Sequence, residues 1–85
     1  MVFDAARGEL LLFGGRDANG RRNDLWRFDG GGWTQIVTSH APPPRSEALV
    51  TFDVARGNVV LFGGDGTTSA FGDTWVWNGT TWAQR

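Results

Sequence analysis

The 85-residue chain has no cysteine, no lysine and no tyrosine, and only one histidine. Without cysteine there is no disulfide, no thiol nucleophile and no thiolate-ligated metal, though this absence assigns no compartment. The single histidine, His40, stands in a proline-rich stretch. No Ser-His-Asp or His-Cys constellation can be assembled around it within this chain, and no cofactor is implied. No apolar run approaches the ~20 residues that a helix needs to span a bilayer. The net charge is −1, so neither nucleic acid nor an anionic membrane surface is indicated as a partner. All eight basic residues are Arg. With many Ala and Gly beside them, this reads as a compositional bias of the source genome rather than a phosphate-binding surface.

What the chain has in quantity is glycine and aromatic residues: 13 Gly, five Trp and six Phe. They are arranged in a repeat. Residues 1–36 align with 50–85 without a gap, and 14 of the 36 positions are identical, a period of 49 residues. FDAARGELLLFGG (3–15) falls on FDVARGNVVLFGG (52–64), and NDLWRFDGGGW (23–33) on GDTWVWNGTTW (72–82). Repeats of this length with strand-like content point to propeller blades, whose sheets bury their faces only against neighbours.

The second copy is the more complete. Residues 45–53 alternate as an extended strand, with Ala48, Val50 and Phe52 on one side. Val54 to Gly57 form a short hairpin connection in which Gly57 supplies a left-handed residue. Asn58–Phe62 is a continuous apolar strand, which predicts burial on both faces. Gly63-Gly64 stops it, residues 65–72 form a polar loop, and Asp73–Trp77 and Trp82–Arg85 are the third and fourth strands around a tight turn. The first copy predicts the same strands at 2–4, 9–13, 24–28 and 33–37. No window has helical periodicity. The expected class is all-β, with two four-stranded antiparallel units at 1–37 and 45–85 joined by a stiff connection at 38–44.

The double glycine after an apolar strand, then an aromatic, six intervening residues and a Trp, resembles the Kelch repeat. Here these residues are Gly14, Gly15, Trp26 and Trp33, then Gly63, Gly64, Trp75 and Trp82. The Asp before the third strand (Asp24, Asp73) and Pro43-Pro44-Arg45 also look like that family. Trp26 and Trp75 stand where the family most often has Tyr. The resemblance implies a Kelch-type β-propeller, of which the chain supplies seven full strands, the first unit missing part of its innermost one. Propellers close with at least about four blades, so the expected object is part of a longer array. Exposed blade faces then predict self-association or poor folding in isolation. The resemblance extends to the body of galactose oxidase, an enzyme whose copper site uses Tyr, Cys and His. A chain without Tyr or Cys could serve such an enzyme only as scaffold.

Other motifs have plainer readings. The glycine pairs precede no helix and carry no G-K-[ST], so they are structural rather than phosphate-binding. The Trp residues recur at fixed positions, which favours packing over a stacking platform for sugars. Asp17-Ala-Asn-Gly20 and Asp65-Gly66 lack the remaining ligands of a calcium loop and read as turn formers. Asp4 with Arg7, and Asp53 with Arg56, read as turn-stabilising pairs. The loops between strands two and three have equal length in both copies yet share almost no residues. Constant scaffold with variable loops is the pattern of a binding face. Its candidate residues are Arg16, Asp17, Arg21, Arg22, His40, Arg45, Asp65 and Ser69. The Arg among them favour acidic or carboxylate-bearing ligands. The expected function is non-catalytic recognition of a protein, with glycan binding or enzyme scaffolding as alternatives.

Overall fold

The structure is a computed structural model that describes residues 1–66 and 69–85. Among the described residues ten strands form in chain order. They are β1 (Val2–Asp4), β2 (Glu9–Phe13), β3 (Arg16–Asp17), β4 (Gly20–Arg21), β5 (Leu25–Phe28), β6 (Trp33–Ile36), β7 (Leu49–Asp53), β8 (Asn58–Phe62), β9 (Thr74–Trp77) and β10 (Trp82–Gln84). Two four-stranded antiparallel sheets result, β1-β2-β5-β6 and β7-β8-β9-β10. The chain is all-β, and among the described residues no helix is long and apolar enough to cross a membrane. The expected strands are present, untrimmed or shorter by one residue, apart from the first strand of the second copy. There pairing starts only at Leu49, because Ser46 makes an isolated bridge to Asp65. The small β3–β4 hairpin inside the two–three loop was not expected.

The repeat enters the hydrogen bonding in the same way in both copies. At the first hairpin Gly8 N–H donates to Asp4 O and Gly57 N–H to Asp53 O, both at 2.8 Å. Gly8 and Gly57 carry φ of 70° and 68°, the left-handed region that glycine reaches without steric cost. At the double glycine, Gly14 N–H donates to Asp24 O (3.0 Å) and Gly63 N–H to Asp73 O (3.1 Å). The next carbonyl, of Gly15 or Gly64, accepts from Arg22 (2.9 Å) or Phe71 (2.8 Å) and closes the loop. A Cβ on Gly14 would stand 2.7 Å from Arg45 O and 2.9 Å from Arg22 O. At Gly14 the backbone crossing is too tight for a side chain.

The sheets pack on each other through unlike faces. Strand registers place Val2, Leu11, Phe13, Leu25 and Ile36 on one face of the first sheet. They place Val50, Phe52, Val59, Leu61, Trp75, Trp77 and Trp82 on one face of the second. These two sets form the core, with Leu11, Leu25, Val59, Leu61, Trp77 and Trp82 buried. Phe13 meets Trp82 edge-on at 5.4 Å, and Trp82 in turn meets Trp77 at 5.5 Å. The opposite faces are uncovered. Trp33 and Phe62 are about half exposed, at 46% and 49%. The apolar run at Asn58–Phe62 is therefore buried on one face only, a correction to the two-sided burial expected of it. Likewise Trp82 is buried in the core while its counterpart Trp33 stacks only on Phe28, at 5.3 Å.

Candidate functional site: a polar cleft at the loop edge

Alternating strand direction brings the two–three loops and the connection between sheets to one edge. There Gly15, Arg16 and Arg21 face Ser46, Glu47 and Asp65 across a cleft of about 320 Å³. One wall is the β3–β4 hairpin, in which Arg16 pairs with Arg21 and Asp17 with Gly20. Asp17 caps its own turn, accepting from the Asn19 amide at 2.9 Å. The other wall is anchored by reciprocal backbone bonds between Ser46 and Asp65, at 2.9 and 2.7 Å.

Three features set this cleft apart. None of the ion pairs among the described residues uses Arg16, Arg21, Glu47 or Asp65, so two cations and two carboxylates are left unpaired. Arg21 Nε is buried with no hydrogen-bond partner among the described residues, an arrangement that leaves a desolvated donor unmet. Glu47 has φ of 60°, the one non-glycine positive φ among those residues. Such a conformation costs of order 1–3 kcal/mol and tends to cluster at binding sites.

The other candidates are placed differently. Arg22 is exposed and tied down by its own loop, bonded to Asp24 (3.1 Å) and Asp17 (3.3 Å). The Asp24 bond holds its guanidinium above its ordinary pKa. His40 and Ser69 are exposed and do not line the cleft. Thr67 and Thr68 of the second two–three loop lie outside the described residues.

Arg45 requires a correction. Placed among the loop cations by its sequence position, it is fully buried and ion-paired. Its Nη1 donates to Asp73 Oδ1 (2.5 Å) and Gly63 O (2.9 Å), Nη2 to Asp73 Oδ2 (3.0 Å), and Nε to Pro43 O (3.1 Å). The guanidinium lies 3.8 Å from the centroid of Phe71. This two-pronged grip holds the Asp73 carboxyl down at about 2, against an ordinary 3.8, despite partial burial that opposes ionisation. The backbone of Arg45 also joins the first repeat: Gly15 N–H donates to Arg45 O (2.9 Å) and Arg45 N–H to Arg22 O (3.1 Å). Arg45 is a structural clamp between repeats, and it fixes the segment that carries Ser46 and Glu47.

The two tryptophans that follow these Asp positions also find a role. Trp26 Nε1 donates to Asp24 Oδ2 (2.9 Å) and Trp75 Nε1 to Asp73 Oδ2 (2.8 Å). Each buried-edge indole N–H is thereby satisfied by the carboxylate two residues before it.

Among the described residues no three His, Cys, Asp or Glu side chains come together as a metal site would need. Among the described residues lining the cleft, Ser46 carries the one hydroxyl, and no histidine accompanies it. Arg16, Arg21, Glu47 and Asp65 give the cleft charges of both signs. Comparison with protein-family models and with curated proteins returns no match.

Proposed function

We propose that the chain is a pair of blades of a Kelch-type β-propeller acting as a non-catalytic recognition module. It takes an acidic segment of a protein partner at its loop edge. The observation that carries this reading is the cleft: Arg16 and Arg21 are free of ion pairs, and Arg21 Nε is buried and unmet. A carboxylate would satisfy both guanidinium groups by two-pronged hydrogen bonds. Glu47 and Asp65 on the facing wall would reject a purely anionic surface and select a ligand that carries a donor beside its carboxylate. The motif spacing and the two four-stranded antiparallel sheets support the blade assignment.

The test is titration of the chain with a short polyglutamate peptide and, in parallel, with a uronic-acid oligosaccharide, followed by amide shifts. The peptide is expected to perturb residues 15–22 and 45–47. Arg16→Ala and Arg21→Ala are each expected to weaken binding about tenfold, the worth of one charge-assisted hydrogen bond. Response to the oligosaccharide alone would transfer the cleft to glycan recognition. Binding unchanged by either substitution would remove it from function altogether.

A further inference from the structure

The two uncovered faces are not independent. Shifted by 49 residues, the outer face of the first sheet (Phe3, Leu10, Leu12, Trp26, Phe28, Trp33) becomes the buried face of the second (Phe52, Val59, Leu61, Trp75, Trp77, Trp82). The outer face of the second sheet is the more polar counterpart of the inner face of the first, with Thr51, Thr74 and Arg85 in the places of Val2, Leu25 and Ile36. Phe62 there corresponds to Phe13, and Val60 to Leu11. The molecule thus presents one half of the interface it already contains and, around Val60 and Phe62, a more polar version of the other.

Arginine makes the relation specific. Arg7 of the first repeat reaches across the internal interface and donates to Gly57 O at 2.9 Å and to Asn78 O. Its guanidinium lies directly over Gly79. The counterparts of Gly57, Asn78 and Gly79 in the first repeat are Gly8, Asp29 and Gly30. Together with Phe3, Leu10 and Phe28 these line an open cleft of about 350 Å³ on the outer face. Gly30 and Gly79 share the same φ of 97°, but a Cβ on Gly30 would meet nothing within 4 Å. The seat is built and vacant. The counterpart of Arg7 is Arg56, on the other outer face, 75% exposed and bonded only to its own turn through Asp53 (3.0 Å).

We infer that copies of this chain associate head to tail, with Arg56 of one copy seated in the Phe3-Gly8-Phe28-Asp29-Gly30 cleft of the next. The backbone carbonyls of Gly8 and Asp29 accept from its guanidinium as Gly57 and Asn78 do from Arg7. Asp29 adds a carboxylate where the internal seat has an amide, which favours the incoming cation. An interface between unlike faces either closes as a ring or continues as a filament. Between copies no linker like 38–44 holds the partners, so association costs translational freedom and depends on concentration.

The experiment is light scattering on the full chain over a hundredfold concentration range, with two variants. Arg56→Glu disables the donor face and Phe3→Glu the acceptor face, and circular dichroism confirms that each folds. Wild type is expected to assemble beyond the dimer, and each variant alone to stay monomeric. An equimolar mixture of the two variants is expected to give a one-to-one dimer, since each retains the face the other lacks. Monomeric wild type at every concentration overturns the inference and leaves these faces to some other occupant. Assembly that survives Arg56→Glu, or a mixture that stays monomeric, overturns the head-to-tail geometry. If Phe3→Glu fails to fold, Gly30→Arg, which fills the vacant seat, takes its place.

Discussion

Replacing Asp73 by Asn separates two sites that the repeat makes look alike. Asp73 and Asp24 occupy equivalent positions, and each accepts an indole N–H at 2.8 or 2.9 Å. Their cations differ. Arg45 beside Asp73 is wholly buried, whereas Arg22 beside Asp24 has a side chain 47% exposed. Asp73→Asn keeps the volume and one acceptor but leaves a buried guanidinium without its counter-charge, which costs about 3–5 kcal/mol. Asp24→Asn frees Arg22 to water and costs about 1 kcal/mol or less. The expected gap is about 2 kcal/mol or more, which for a chain of this size is a melting-temperature difference of about 10 °C.

The assay is urea unfolding of both variants at one protein concentration, fixed because association would shift the midpoint. The pH dependence adds a second reading. Because Arg45 depresses the folded-state pKa of Asp73 to about 2, the carboxylate stabilises the fold fully above the unfolded value near 4. That contribution, about 2 kcal/mol, is lost as pH falls from about 4 through about 2. The difference between wild type and Asp73→Asn must therefore shrink across that window. Equal costs at Asp73 and Asp24, or a difference that stays constant down to pH 2, would refute the assignment of Arg45 as a clamp.

Further outcomes follow from the same pairing of equivalent positions. Gly14→Ala is expected to cost about 2–4 kcal/mol, combining left-handed strain with collision against Arg45 O and Arg22 O. Gly8→Ala, at a similar φ but in open space, is expected to cost about 1 kcal/mol, and thermal melts compare the two. Arg7→Ala removes cross-sheet bonds to two carbonyls and is expected to cost about 1–3 kcal/mol. Arg56→Ala is expected to leave monomer stability within about 0.5 kcal/mol, as measured by unfolding in dilute solution. Glu47→Gly relieves a positive φ and is expected to stabilise the chain by about 1 kcal/mol. Calorimetry would check it, with any loss of peptide binding marking the strain as functional.

Most of the scaffold was legible because it depends on patterns that repetition doubles. Apolar runs and their repetition located the eight sheet strands, and the left-handed Gly57 followed from loop length. The β3–β4 hairpin was missed because two-residue strands carry no periodicity. The turn formers between Asp17 and Gly20 were the available signal. Half of the candidate cleft was legible through Arg16, Arg21 and Asp65. Glu47 was not, since positive φ at a residue other than glycine leaves no mark in composition. Arg45 was misread because an Arg after three prolines resembles a solvated loop residue. Its partner lies 28 positions away, and no preceding copy in the chain displays the same pair.

The larger limit of the sequence is that identical residues acquire different roles when only one face of each sheet is covered. Asp4-Arg7 and Asp53-Arg56 form the same turn, with ion pairs at 2.8 and 3.0 Å, and a turn is all that their spacing predicts. Arg7 also links the two sheets because a second sheet stands beside it, while Arg56 has none within the chain. The same asymmetry separates buried Trp82 from exposed Trp33 and buried Leu61 from exposed Leu12. Repetition gives both copies a similar turn and a similar core stripe, and position in the array decides which copy uses them. Where the capacity is unused, at Arg56 and at the cleft around Gly30, the chain carries a matched donor and acceptor whose satisfaction requires another sheet.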